Sequence, residues 1–284
     1  MSLWPIKIAV KLLLSWIPGR HFLLRRFGLF KHGNMDKLPY AFKIFNIHAK
    51  RAFPDGFPEN STVLELGPGD SLLSALIAKA NGASKIYLAD AGNYASRDIK
   101  FYKRAADELR MQYGLDVPGF DAASTLADIL HICNAQYLTG GLRDLKTIPS
   151  NSVDFIWSHS VLEHIRKRDF DSTMKQLSRI LKANGVISHI VDLQDHLDRA
   201  LNNLRFPEAI WENELFARGG FYTNRIGYSR SLDYMRQSGT QVVFTETGAW
   251  EKLPTPKKAM SEPFQSVPDD ELRIRTYSVV LKAA

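Results

Sequence analysis

An α/β fold, with a mostly parallel seven-stranded sheet and helices on both faces, is what the sequence predicts. Three observations carry that expectation. From Ser61 onward, short apolar runs alternate with longer runs of helical periodicity. A glycine-bearing turn, "LGPGDS", joins the first strand of that series to its first helix. An acid, Asp90, closes the second strand 21 residues after Gly69.

The elements follow in order. Residues 1–57 read as a basic, amphipathic helical segment, with a helix over 36–52 and an entry loop through Pro54 and Asn60. Residues 58–284 form the main domain. "TVLELG" is a strand ending at glycine, and "SLLSALIAKANG" is a helix with apolar residues at helical spacing. "KIYLAD" is the second strand, followed by a long helical stretch. "ADILHICNAQYLTG" holds the third strand near its end, and "SVDFIWSHS" is the fourth. "DFDSTMKQLSRILKANG" reads as a helix closed by Gly185, and "GVISHIVDL" as the fifth strand. A stretch of about 193–240 is too long for a simple crossover and reads as a lid near the active face. "QVVFTETG" and "RTYSVVLKA" complete the sheet around a proline-rich loop.

Composition sets limits. An apolar content of 45% over 284 residues supports a sizeable core. The lone cysteine, Cys133, excludes an intramolecular disulfide and a multi-cysteine zinc site, and fits a reducing, cytoplasmic setting. The net charge is +7, but residues 1–31 hold six cations (Lys7, Lys11, Arg20, Arg25, Arg26, Lys31) and no acid, which leaves the rest at only +1. So nearly neutral a body argues against nucleic acid as a partner. The apolar run from Ile8 to Ile17 is too short to span a bilayer. Pro18-Gly19 breaks the segment, and Trp4, Trp16, Phe22, Phe27 and Phe30 are interleaved with its cations. That mix suits the anionic face of the inner membrane, or equally a helix packed on the protein's own core.

The chemistry begins at the glycine turn. Gly67 permits a tight turn and Gly69 lets a ligand approach the backbone, at a helix start that offers unpaired N–H groups. Glu65 precedes the turn by two residues, and Asp90 is placed to accept hydrogen bonds from a ribose diol.

"VLELGPGDS" resembles motif I of the class I S-adenosylmethionine-dependent methyltransferases, which have a Rossmann-like fold. "IPSNSVDFIWSHSVLEHI" looks like the corresponding segment of the subgroup called methyltransferase type 11, and "LSRILKANGVISHI" is similar to its helix and fifth strand. The resemblance covers roughly residues 60–192. It implies S-adenosylmethionine as cofactor, held by Glu65, Gly67, Pro68, Gly69, Asp90 and Ala91. Asp144, at the family's distance before Pro149, is assigned to the adenine, with the backbone of "TGGL" (139–142) as the alternative. Ser158 and His159 join the set because they end the fourth strand, where ligands of open α/β sheets bind. The stretch beyond residue 192 also resembles bacterial proteins of surface-polysaccharide gene clusters. One departure is Ser71, where the family commonly has a third glycine.

Two alternatives stand beside this expectation. An NAD-dependent oxidoreductase would use G-x-G-x-x-G, but the last position is Leu72. A non-catalytic, membrane-associated protein could keep the same fold. Within "SHIVDLQDH", His196 is the first candidate for a base that takes a proton from an acceptor hydroxyl, Asp192 its partner and His189 a further candidate. Glu163 and His164 read as shaping the loop after the fourth strand. No metal site is expected, since ligand identity alone specifies little. The lid residues Asn202, Asn203, Arg205, Tyr222, Asn224 and Arg225 suit a polar, small-molecule or glycan-like acceptor, or ordinary packing.

Overall fold

The computed structural model describes residues 4–15 and 34–284. Arg20, Arg25, Arg26, Lys31, Trp16, Phe22, Phe27, Phe30 and the Pro18-Gly19 break lie outside the described residues.

Seven strands form one sheet: β1 (Thr62–Leu66), β2 (Lys85–Ala89), β3 (Ala135–Leu138), β4 (Val153–His159), β5 (Leu181–Asp192), β6 (Thr240–Ala249) and β7 (Ile274–Ala283). Their order is β3-β2-β1-β4-β5-β7-β6. β1 to β5 pair in parallel, and β7 runs antiparallel between β5 and β6. The order reverses between β1 and β4, so a crevice opens at the carboxyl ends of those strands.

Alternation along each strand divides the core. Val63, Phe155, Trp157 and Val186 face one cluster, while Leu64, Ile156 and Ile187 face another. The first cluster takes α2 (Leu38–Ala52), α3 (Leu73–Ala80), α4 (Ile99–Tyr113) and α5 (Leu126–Ile132). The second takes α7 (Lys167–Ile180) and α10 (Tyr228–Gln237), with the single-turn α6 (Leu142–Leu145) beside it. Local chemistry sets the helix ends. Asp98 caps α4 by accepting from the Lys100 amide, and Gly114 ends it in a left-handed conformation at φ 66°. Thr125 and Asp128 form a reciprocal capping box at α5.

Gly185 does not close α7. That helix ends at Ile180, and the chain enters β5 directly. Leu181 pairs with Val153 and Val186 with Phe155, so residues 182–185 bulge out of the ladder. A Cβ on Gly185 would lie 2.7 Å from Leu181 Cδ1 and 2.9 Å from the Lys182 carbonyl oxygen. The glycine therefore serves the close return of this bulge rather than a helix cap.

The stretch after β5 builds its own small core. Leu197, Trp211, Phe221 and Tyr222 bury one another and take Ile8 of α1 (Trp4–Ser15) from the N-terminal segment. Between them run two single-turn helices, α8 (Glu208–Trp211) and α9 (Glu214–Ala217). Leu201 and Leu204 pack on Met260 and Leu272 of the loop between β6 and β7. α10, at the end of the stretch read as lid, packs instead against α7 and β6 as part of the sheet's helical layer.

Candidate functional site

The turn after β1 is shaped by two left-handed glycines, Gly67 at φ 76° and Gly69 at φ 68°. A Cβ on Gly67 would overlap Val161 Cγ2, so the turn passes against the loop after β4 with no room for a side chain. The Gly67 amide donates to the Ala89 carbonyl (2.7 Å), which ties the turn to the end of β2. There Asp90 accepts from the Gly69 amide (3.0 Å) and from its neighbour, the Ala91 amide (2.7 Å). Asp90 thus braces the turn.

Glu65 lies buried beneath the turn, where Ser74 of α3 hydrogen-bonds its Oε2. Burial raises its carboxyl to about 8, Ser74 opposes the rise, and the nearby Asp90 adds to it. Its role is to tie β1 to α3. Ser71 is also buried, donating to the Met35 carbonyl oxygen (2.5 Å) rather than lining a crevice. The Leu72 amide, at the start of α3, is taken by the Tyr102 hydroxyl (3.2 Å). A dinucleotide site would present such an amide to a pyrophosphate. Here a phenol occupies it.

The loop after β3 is held by Asp144, which accepts from the Gly140 amide (2.7 Å) and from Arg143 (3.1 Å). The Gly140 amide, more than Arg143, holds its carboxyl below the usual range. Gly141 adopts φ 57° and its amide donates to the Asp90 carbonyl (2.9 Å). "TGGL" therefore lies beside the Asp90 turn, with Asp144 fastening it from behind.

At the end of β4 the paired residues Ser158 and His189 share a bond, Ser158 Oγ to His189 Nδ1 (2.7 Å). Both are completely buried, and His189 Nε2 has no partner. Burial holds the His189 imidazole near 3 and hence neutral. His189, read from the sequence as a catalytic candidate, and Ser158, read as a cofactor contact, thus lie closed within the sheet and bonded to each other. His159 points to the other face. Its Nδ1 lies 3.4 Å from His48 Nε2, and its Nε2 lies 3.5 Å from the Tyr40 hydroxyl. His48 in turn contacts Ser188 Oγ (2.8 Å). Desolvation, then the Arg51 charge, lowers His159 to about 4. Tyr40 and His48 escaped the sequence analysis, although their eight-residue separation on a helix places them on one face.

The segment after β5 is also rearranged. Asp195 is buried and accepts from the amides of Leu197 (3.0 Å), Asp198 (2.8 Å) and Asn202 (2.6 Å), so it organises the turn. His196 stacks on His164, with ring centroids 4.8 Å apart and planes 24° from parallel. His196 is partly open to solvent, yet its ring is crowded. Desolvation and Lys11 lower its pKa, and Asp195 opposes them. Asp192, the expected partner of His196, is bound instead into the turn below: it accepts from the Gln194 amide (2.9 Å) and its own amide faces Glu163 Oε1 (3.4 Å). Burial raises the Asp192 carboxyl, while the charges of Arg199 and His164 pull it down. The imidazole neighbour of His196 is therefore His164, and the Asp192 charge acts on His164.

The lid's polar residues turn inward. Arg225, with a side chain 1% exposed, donates to the Phe206 carbonyl oxygen (2.7 Å) and Glu208 (2.8 Å). Asn224 donates to the carbonyl oxygens of Leu162 and Ile165, Asn203 to Thr223, Arg205 to Asn202 and Tyr222 to Glu212. These contacts build the lid and fasten it to the loop after β4.

Residues 43–225, more than half of the chain, match the family model described as a methyltransferase domain. Among solved structures the chain is similar to a putative S-adenosylmethionine-dependent methyltransferase from Listeria monocytogenes, at 14% identity and TM-score 0.46, covering 84% of this chain and 99% of that one. It is similar to an S-adenosylmethionine-dependent methyltransferase from Mesorhizobium loti, at 14% identity and TM-score 0.44, covering 78% and 91%. A third is geranyl diphosphate C-methyltransferase from Streptomyces coelicolor A3(2), at 14% identity and TM-score 0.46, covering 87% and 78%. No curated protein matches the sequence.

Proposed function

Since this chain belongs to the methyltransferase domain family and is an S-adenosylmethionine-dependent methyltransferase of the class I fold, we propose that it methylates an oxygen of a small-molecule or glycan-like acceptor. The observation that carries the proposal is the His164–His196 pair beside Glu163, at the carboxyl ends of β4 and β5. A hydroxyl is a poor nucleophile until its proton is handled, and a pair of imidazoles beside a carboxyl is equipped for that.

The cofactor's place follows from the residues that fit it. The left-handed Gly67 turn carries no side chain between β1 and the crevice, and Asp90, a carboxyl group at the end of β2, is of the type that accepts from a ribose diol. The "TGGL" backbone is set to flank the adenine, with Asp144 in a supporting role. The loop at Val161 then joins the two halves: it packs on Gly67, and two residues later it presents Glu163 and His164. An activated methyl group needs little beyond water exclusion, alignment and proton removal. The turn, the lid and the imidazole pair supply these in turn.

The test joins cofactor titration to product analysis. Calorimetry is expected to show binding of S-adenosylmethionine and S-adenosylhomocysteine and none of NAD. Asp90→Ala should weaken S-adenosylmethionine binding by about 1.5–3 kcal/mol, the scale of a lost charge-assisted hydrogen bond. Incubation with isotope-labelled S-adenosylmethionine and panels of hydroxylated, amino and carbon acceptors should label oxygen. Mass spectra that place the label on nitrogen or carbon reject the oxygen assignment.

A further inference from the structure

We propose that Glu163, His164 and His196 form a binding site for one divalent first-row transition cation at the mouth of the crevice. The sequence offered no reason to expect it, because the residues come from two turns and only the fold unites them. One coordinating atom from each residue lies within 4.8 Å of the others. Two imidazole nitrogens and a carboxylate oxygen, with the remaining positions open, are a donor set for such ions rather than for magnesium or calcium.

Each donor is already prepared. Glu163 is 2% exposed, and its Oε2 is buried without a hydrogen-bond partner. A buried acceptor left without a partner is costly, and a cation would satisfy it. His164 Nδ1 lies 2.9 Å from the Tyr222 carbonyl oxygen. A carbonyl only accepts, so Nδ1 carries the proton and Nε2 presents the lone pair, the arrangement by which outer groups orient ligating histidines. The stacking of the two rings sets His196 beside it. Bonds of about 2.1 Å need donors about 3–3.5 Å apart, so the cluster must contract. His196, an exposed side chain, can turn out of the stack, and His164 can pivot about its bond to Tyr222, while Glu163 stays fixed.

The surrounding charges are mixed. Asp192 adds a carboxylate beside Glu163 and His164. Lys11, whose Nζ lies 3.5 Å from the His196 carbonyl oxygen, and Arg199 oppose the ion. The site is therefore expected to bind less tightly than an all-anionic one.

Resting on the proposed oxygen acceptor, the site also gives the hydroxyl a place. With the ion bound, the imidazoles serve as ligands in place of a base: a hydroxyl at an open coordination position is acidified and yields its proton to solvent. Its oxygen pair forms the new O–CH3 bond as the S–CH3 bond breaks, and the sulfur keeps that electron pair as a thioether.

The experiment is cobalt(II) titration of metal-stripped, tag-free full-length protein, followed by visible absorption, with S-adenosylhomocysteine calorimetry on the same sample. The expected result is one Co2+ per chain with ligand-field bands, displaced by Zn2+. The isosteric Glu163→Gln and the surface change His196→Ala should each weaken cobalt binding at least tenfold and leave S-adenosylhomocysteine affinity unchanged. Absence of cobalt binding to the wild type overturns the site, as does equal binding by either variant. Cobalt binding lost while S-adenosylhomocysteine still binds rejects the cation alone. Cobalt bound without S-adenosylhomocysteine supports the cation and rejects the cofactor assignment.

Discussion

Asp90 and His189 show what one residue's position can and cannot disclose. The place of Asp90 at the end of β2 was legible because strand, turn and spacing fix where that strand ends. His189 was not. Alternation separates it from Asp192, but in a parallel sheet both faces are covered, so the pattern does not say which residue meets a ligand. The fold closes over His189 and leaves it neutral, with its pKa near 3 against an ordinary 6.5. The unfolded chain takes up a proton below pH 6.5 while the folded chain does not, so this group's contribution is present above pH 6.5 and is lost as pH falls toward 3. At pH 5 the loss is about 2 kcal/mol. His189→Leu leaves Ser158 unpaired at every pH but removes the titration. Urea unfolding at pH 7 and pH 5 should therefore show the variant gaining about 2 kcal/mol on the wild type at the lower pH. A wild-type-to-variant difference that stays constant between the two would show that His189 protonates in the folded state.

At the scale of elements, the regular alternation of β1 through β5 could be read directly, and the crossover after β5 could not. A strand and a helix each repeat a period that the sequence displays. The crossover repeats none: it is a chain of single turns whose polar residues could equally face a ligand or one another. They face one another, because a long loop needs partners for its own backbone groups. Trp211 is the centre of that arrangement. It is completely buried, stacks among Phe206, Phe216, Phe221 and Tyr222, and donates from Nε1 to the Thr223 carbonyl (2.7 Å). Trp211→Ala should remove about 3–5 kcal/mol from the lid. The sheet has separate clusters, so the loss should be local. Limited proteolysis is expected to cut within 197–225 at rates far above wild type, while calorimetry still registers S-adenosylhomocysteine. Global unfolding of the variant at 25 °C would show instead that lid and sheet form one cooperative unit.

For the molecule as a whole, the uneven distribution of charge was plain in the sequence, and its use depends on how the first helix sits. α1 lies over the lid with Ile8 buried against Trp211 and Phe221. Lys7 reaches the Leu197 carbonyl oxygen (2.6 Å) and Asp198 (2.5 Å), and Lys11 faces the carbonyl oxygens of His196 and Gly220 (3.5 Å each). Those two cations are thus turned toward the protein. Ile6, 62% exposed, and Val10, 47% exposed, are turned away from it. No helix among the described residues is long and apolar enough to cross a membrane. We propose that α1 instead rests on an anionic membrane surface, with Ile6 and Val10 entering the interface and the net positive charge of residues 1–31 drawing it there. Such contact would bring the lid mouth, where α1 meets His196, close to acceptors presented at a bilayer. Two dependences follow. The cationic part weakens with salt as the Debye length shrinks from about 10 Å at 0.1 M to about 3 Å at 1 M. The apolar part persists in salt but fails when Ile6 and Val10 are both changed to Asp. Cosedimentation with vesicles containing phosphatidylglycerol should fall several-fold under either change, and neutral phosphatidylcholine vesicles should retain little protein. Equal cosedimentation of wild type and the Ile6→Asp, Val10→Asp variant with anionic vesicles would leave α1 as a brace for the lid and nothing more.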